Sequence, residues 1–151
     1  MRVWRLTKTK LAATPFDGEG PRLYGGRWNS AGVRVAYASS SSALALLEVL
    51  VHLENPAPLL SYSLVIATIP DDSIEDYDLA ALPTNWSASP VPPETQAIGD
   101  EWARSGRSLA LRVPSAVVTH ATNFVINPSH SDFGRIAIES IDPFTFDPRL
   151  L

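Results

Sequence analysis

The chain contains no cysteine. That excludes disulfides, thiolate zinc sites and a cysteine nucleophile. Its three histidines, His52, His120 and His130, stand singly without metal-ligand spacing, so no metal site is expected. No Gly-x-Ser-x-Gly elbow is present, which argues against a serine hydrolase. A Gly-x-x-x-x-Gly-Lys-Ser/Thr loop is also missing, and Gly18-Glu19-Gly20 lacks the strand-to-helix setting of a dinucleotide fingerprint. Basic runs are missing too, and with a net charge of −4 no direct nucleic-acid binding is expected. No apolar run approaches the roughly 18 residues of a membrane span. Met1-Arg2-Val3-Trp4-Arg5-Leu6 puts charges where a signal peptide would be apolar. A cytoplasmic protein without membrane contact is the expectation.

What is present describes a globular chain. Its 151 residues, 45% of them apolar and 19% charged, suit a single domain over positions 1–151 with a substantial core. Thirteen prolines are scattered as turn punctuation rather than gathered into a linker. Strands are predicted over 3–6, 33–38, 59–69, 109–113, 123–126 and 136–141. Helices are predicted over 41–54 and 94–105, the second ending at Gly106. Residues 16–29 read as a Gly-rich loop and 73–93 as a surface excursion. Strands outnumber helices without regular alternation, so the fold class is α+β with one domain rather than a doubly wound sheet.

The densest signal is the helix from Ser41 to Glu54. It opens on capping-type serines and holds no glycine or proline. At about 100° per residue, its leucines and valines cover most of the circumference, which predicts a helix buried on nearly every side. One stripe departs from this: Ser41, Ala45, Glu48 and His52 stack at helical spacing. A carboxylate on such a helix needs a partner or a solvated cleft. Glu48 is therefore the leading candidate for chemistry, with His52 placed to pair with it or orient it.

Gly25-Gly26-Arg27-Trp28-Asn29 is the second signal. Paired glycines permit close approach of a ligand, and the Arg27 fork suits phosphate or carboxylate. A hairpin turn with a surface arginine and a core tryptophan fits the same residues. Tyr37 sits at the entrance to the Glu48 helix, either stacking on a base with its hydroxyl free or packing as an ordinary core tyrosine. Arg5 reads as a surface charge or a second anion ligand. Ser115 and Asn127 follow strands at proline-fixed turns, where ligand contacts and simple turn formation are both common.

The order of these pieces carries a resemblance. Gly25-Gly26-Arg27-Trp28-Asn29, then Val35-Ala36-Tyr37-Ala38-Ser39, then Leu47-Glu48-Val49-Leu50-Val51-His52-Leu53 resembles the RES domain family. The likeness continues through Trp102, Val113-Pro114-Ser115, Asn123 to His130 and Phe146-Asp147-Pro148-Arg149, with Gly134 a departure from the bulkier residue expected there. Members of that family are the toxins of bacterial RES–Xre toxin–antitoxin modules. The resemblance implies a mixed, mostly antiparallel β core like that of ADP-ribosyltransferases. It further implies that NAD⁺ is taken as substrate rather than cofactor, with cleavage of its nicotinamide–ribose bond. Carried over position by position, it assigns Glu48, Arg27 and Tyr37 to catalysis and Arg5, Arg27, Tyr37, Ser115 and Asn127 to binding NAD⁺. An Xre-family antitoxin that blocks the cleft is the implied partner. Protein ADP-ribosylation, or a partner-binding domain without catalysis, are the alternatives.

Overall fold

Seven strands in the order β4-β5-β6-β2-β1-β3-β7 make one sheet in the computed structural model, which describes residues 1–53 and 61–151. The strands are β1 (Arg2–Lys8), β2 (Ala36–Ser39), β3 (Tyr62–Thr68), β4 (Ile74–Asp76), β5 (Ala110–Pro114), β6 (Thr122–Ile126) and β7 (Ala137–Phe144). Every pairing is antiparallel except β4 with β5. The helices are α1 (Glu19–Tyr24), α2 (Ser42–Leu50) and α3 (Pro93–Ser105). This is the α+β class with a mostly antiparallel mixed sheet, as the scarcity of helices predicts.

Alternation along the strands gives the sheet two faces. One face carries Val3, Ala36, Ala38, Val65, Ala67, Phe124 and Ile126, packed with Phe16 and Leu109. On the other face, Leu6 and Trp4 meet Ala45, Leu46, Val49 and Leu50 of α2. Further along that face, Val125, Leu111 and Val113 meet Trp28 and Trp102 of α3. Both α2 and α3 thus lie on the face that Tyr37 and Ser39 share, with polar side chains between the two apolar clusters.

Several elements differ from the sequence reading. The predicted strand over 33–38 forms only at Ala36–Ser39. Within the predicted loop, α1 forms because Gly18 turns the chain at φ 74° and the Asp17 carboxylate caps the Glu19 amide at 3.1 Å. Within the predicted excursion, Ile74–Asp76 adds a parallel edge to β5. The strand expected over 59–69 is found at Tyr62–Thr68, and its first positions lie outside the described residues.

The largest correction concerns α2. Ser41 Oγ caps the helix by accepting from the Leu44 amide at 3.1 Å, as the serines predict. The helix ends at Leu50, with Val51 and His52 in a turn and Glu54 outside the described residues. It is not enclosed: only Leu44 and Ala45 are buried, whereas Leu47 is 39% and Val51 58% exposed. Apolar residues on every side therefore mark one face against the sheet and a second face on the surface.

Candidate active site

The loop carrying Arg27 is held by side chains at its base. Asn29 is fully buried, and its amide donates to the carbonyls of Pro21 at 2.8 Å, Val33 at 3.0 Å and Ser30 at 3.2 Å. Its Oδ1 accepts the Tyr37 hydroxyl at 2.6 Å, and that same hydroxyl accepts the Trp28 amide at 3.1 Å. Gly26 is required by this arrangement: a Cβ there would sit 2.7 Å from the Tyr37 hydroxyl and 2.9 Å from Asn29 Oδ1.

Helix α3 clamps the loop from the other side. Gln96 Nε2 donates to the Gly26 carbonyl at 3.0 Å, and Asp100 accepts the Ser30 amide at 2.8 Å and its hydroxyl at 2.6 Å. Gly99 lets the helix touch the loop, since an added Cβ would lie 1.7 Å from the Trp28 carbonyl oxygen.

From this base Arg27 extends to the arm before α3. Its Nη1 donates to the carbonyls of Trp86 at 2.9 Å and Ala88 at 3.0 Å. Among the described residues its Nε and Nη2 donors form no hydrogen bond, so the outer half of the fork is open to a ligand. Burial pulls the guanidinium below the usual arginine value, and the nearby charge of Glu48 opposes that shift. The described ion pairs do not include one between Arg27 and Glu48. The two charges feel each other while each keeps hydrogen-bonding capacity for a third group.

Glu48, half-buried on α2, is held through one oxygen. Oε1 accepts Ser115 Oγ at 2.8 Å and Asn123 Nδ2 at 2.6 Å. Among the described residues Oε2 has no partner. Ser115 follows β5, and its Oγ accepts the amides of Val117 at 3.0 Å and Val118 at 3.1 Å. With both acceptor positions filled, its proton is committed to Glu48. Ser115 also lines a groove of about 380 Å³, together with Leu79, Leu82, Trp86, Pro114 and His120. Glu48 and Arg27 each reach this groove through one of its lining residues, Glu48 through Ser115 and Arg27 through the Trp86 carbonyl.

The remaining candidates fall elsewhere. Tyr37 does not present a free hydroxyl, because Asn29 and Trp28 occupy it, and burial pushes it above the ordinary phenol value. Arg5 Nη1 donates to the Tyr37 carbonyl at 2.7 Å, where β1 and β2 share only the Trp4–Ser39 pair. Its Nε is buried without a partner among the described residues, and burial lowers its pKa against the pull of Asp17. Asn127 lies at the far end of β6 from Asn123. Its Nδ2 donates to the Ala103 carbonyl at 3.1 Å, and its Oδ1 accepts the Ser129 amide at 3.0 Å. His52 is exposed in the turn after α2. Asn123 and Ser39, which the sequence reading does not single out for the site, join it through strand pairing. They are register partners across β2 and β6, a polar pair beside the apolar Phe124, Val125 and Ile126.

Fold and site together define a small α+β domain whose sheet carries a helix-borne carboxylate beside an arginine-bearing loop. The chain belongs to the RES domain family, whose model matches residues 2–147. It is 39% identical over 152 residues to Toxin Res of Yersinia enterocolitica, covering 99% of each chain. It is also 38% identical over 153 residues to the Prs ADP-ribosylating toxin of a Sphingobium species, covering 98% of this chain and 95% of that one. Among solved structures, a chain of the M. tuberculosis MbcT–MbcA toxin–antitoxin complex superposes with a TM-score of 0.71. That match covers 95% of this chain and 84% of the other at 16% identity, a likeness of fold.

Proposed function

We propose that this protein is the toxin of a toxin–antitoxin module and that it cleaves the nicotinamide–ribose bond of NAD⁺ in the cytoplasm, depleting NAD⁺ and arresting growth. The observation that supports this best is that Glu48, with Oε2 unpartnered among the described residues, and Arg27, with half its fork open, are each hydrogen-bonded to a residue lining one groove. In this reading Arg27 binds the pyrophosphate and holds the ribose in register, a contribution of several kcal/mol. As the C–N bond breaks, positive charge develops on the ribose, and the Glu48 carboxylate stabilises it or grips the ribose hydroxyls. The bonding electrons leave with nicotinamide, which departs neutral from its cationic ring. No general acid is needed, so one carboxylate suffices where most glycosidases use two.

The acceptor sets the product. Water gives ADP-ribose and a proton, and inorganic phosphate gives ADP-ribose 1″-phosphate. A protein side chain as acceptor is the second reading, supported by the likeness to a relative named as an ADP-ribosylating toxin. A DNA-binding Xre-type antitoxin is proposed as partner, blocking the groove.

Incubating the antitoxin-free protein with NAD⁺, with and without phosphate, tests both readings. Nicotinamide release matched by ADP-ribose or its phosphate ester supports NAD⁺ breakdown. Label transfer to a protein band supports the second reading. A folded protein that releases no nicotinamide overturns both.

A further inference from the structure

We propose that Ser39 and Asn123 are positioning residues that reserve one oxygen of Glu48 for the protein and leave the other for substrate. The inference rests on Glu48 being the reacting carboxylate. Every hydrogen bond in the chain of contacts runs toward it. Ser39 Oγ donates to Asn123 Oδ1 at 2.8 Å, and Asn123 Nδ2 donates to Glu48 Oε1 at 2.6 Å. From the other side the Val117 and Val118 amides donate to Ser115, and Ser115 donates to the same oxygen at 2.8 Å.

The direction of the Asn123 bond is the important point. A side-chain amide is nearly symmetric in shape but opposite in polarity at its two ends. Turned over, it would set Oδ1 against the Glu48 carboxylate. The acceptor-only carboxylate takes the donor end, and the Ser39 hydroxyl, buried on β2 at 4% exposure, donates to Oδ1 and anchors the amide in that orientation. Register supplies the geometry: Ser39 and Asn123 are paired residues of antiparallel strands, so their side chains rise from the same face about 5 Å apart. Glu48 comes from α2, which packs on the sheet through Ala45, Leu46, Val49 and Leu50. The two donors to Oε1 tie it to β6 and to the turn after β5. With Oε1 doubly bonded, the carboxylate cannot rotate about its terminal bond without losing both donors, which leaves Oε2 for the ribose.

Two measurements test this. The first is kinetic, on nicotinamide release. Ser39→Ala should lower kcat about tenfold, the size of one lost orienting hydrogen bond, with KM within twofold of the parent. Ser39→Thr, which retains the hydroxyl, should restore most of that loss, and Asn123→Asp, which sets like charges together, should lower kcat about 100-fold. Equal kcat for S39A and the parent, or S39T as slow as S39A, overturns the proposal. The second measurement needs no activity. The Asn123 side-chain amide, identified by its disappearance in N123D, should show one downfield proton by NMR that moves upfield in both E48A and S39A. An amide signal indifferent to those changes overturns the proposal. The NMR shifts in a parent protein that releases no nicotinamide would support the positioning and refute the NAD⁺ reading, so the two failures are distinguishable.

Discussion

Tyr37 and Asn29 are joined by a 2.6 Å hydrogen bond from the tyrosine hydroxyl to the asparagine Oδ1, so strand β2 and the loop carrying Arg27 share a rigid connection. A tyrosine that only stacked its ring on a ligand would tolerate loss of the oxygen. Tyr37→Phe should instead strand the buried Asn29 Oδ1 and the Trp28 amide. The expected cost is about 1–3 kcal/mol, read as a lower midpoint in urea, with a higher KM for NAD⁺ as Arg27 loses its fixed base. A Y37F protein of parental stability and KM would return the residue to a stacking role.

Glu48→Ala and Arg27→Ala should abolish nicotinamide release and growth arrest while leaving the far-ultraviolet circular dichroism spectrum unchanged. Arg27→Lys should not rescue, because one ammonium cannot bind the Trp86 and Ala88 carbonyls and still present a planar fork to a pyrophosphate. Full cleavage by E48A would remove this carboxylate from the chemistry.

Gly99 is predicted to be intolerant of any side chain. The 1.7 Å approach of an added Cβ to the Trp28 carbonyl oxygen is to backbone, so no rotamer change relieves it. Gly99→Ala should cost more than about 3 kcal/mol or prevent folding, whereas Gly134→Ala, where an added Cβ meets nothing within 4 Å, should be nearly neutral. Comparing their denaturation midpoints checks the pair.

Asn127 gives a contrast with Asn123. Its amide joins the α3 carbonyl of Ala103 to the turn at Ser129, so Asn127→Ala should lower stability by about 1–3 kcal/mol without changing kcat. A specific fall in kcat at unchanged stability would place it in the substrate site.

Acid should weaken the β1–β3–β7 edge. Glu139 is held below the ordinary glutamate value by hydrogen bonds from Thr68 and Arg2. Because its pKa is lower folded than unfolded, its contribution is complete above the unfolded value and disappears as pH falls through the folded one. The stability difference between the parent and Glu139→Gln should therefore be constant near neutrality and shrink below about pH 5. A difference that grows on acidification would reverse the sign assigned to this pair.

Much of this was legible from residue order, and the exceptions have physical causes. The serine cap, the α2 start and the strands at both ends of the chain follow from local pattern. The α2 surface does not: Leu47 and Val51 look like core residues in sequence, and only packing shows them exposed. α1 depends on one Asp17 cap within a stretch otherwise read as loop. Asn123 and Ser39 acquire meaning only through register between strands distant in sequence, which no local window contains. Tyr37 was legible as important, but its partner was not, because the loop folds back on itself to present Asn29.

The pairing of β2 with β6 also has a consequence in time. Glu48 is made early in synthesis, but Ser115 and Asn123, the donors that aim it, come much later. At roughly 5–20 residues per second, the carboxylate precedes those donors by several seconds. A nascent or truncated chain that ends before β6 lacks Asn123 and can hold Glu48 through Ser115 alone. Full aiming of the carboxylate is thus deferred until β6 has been made.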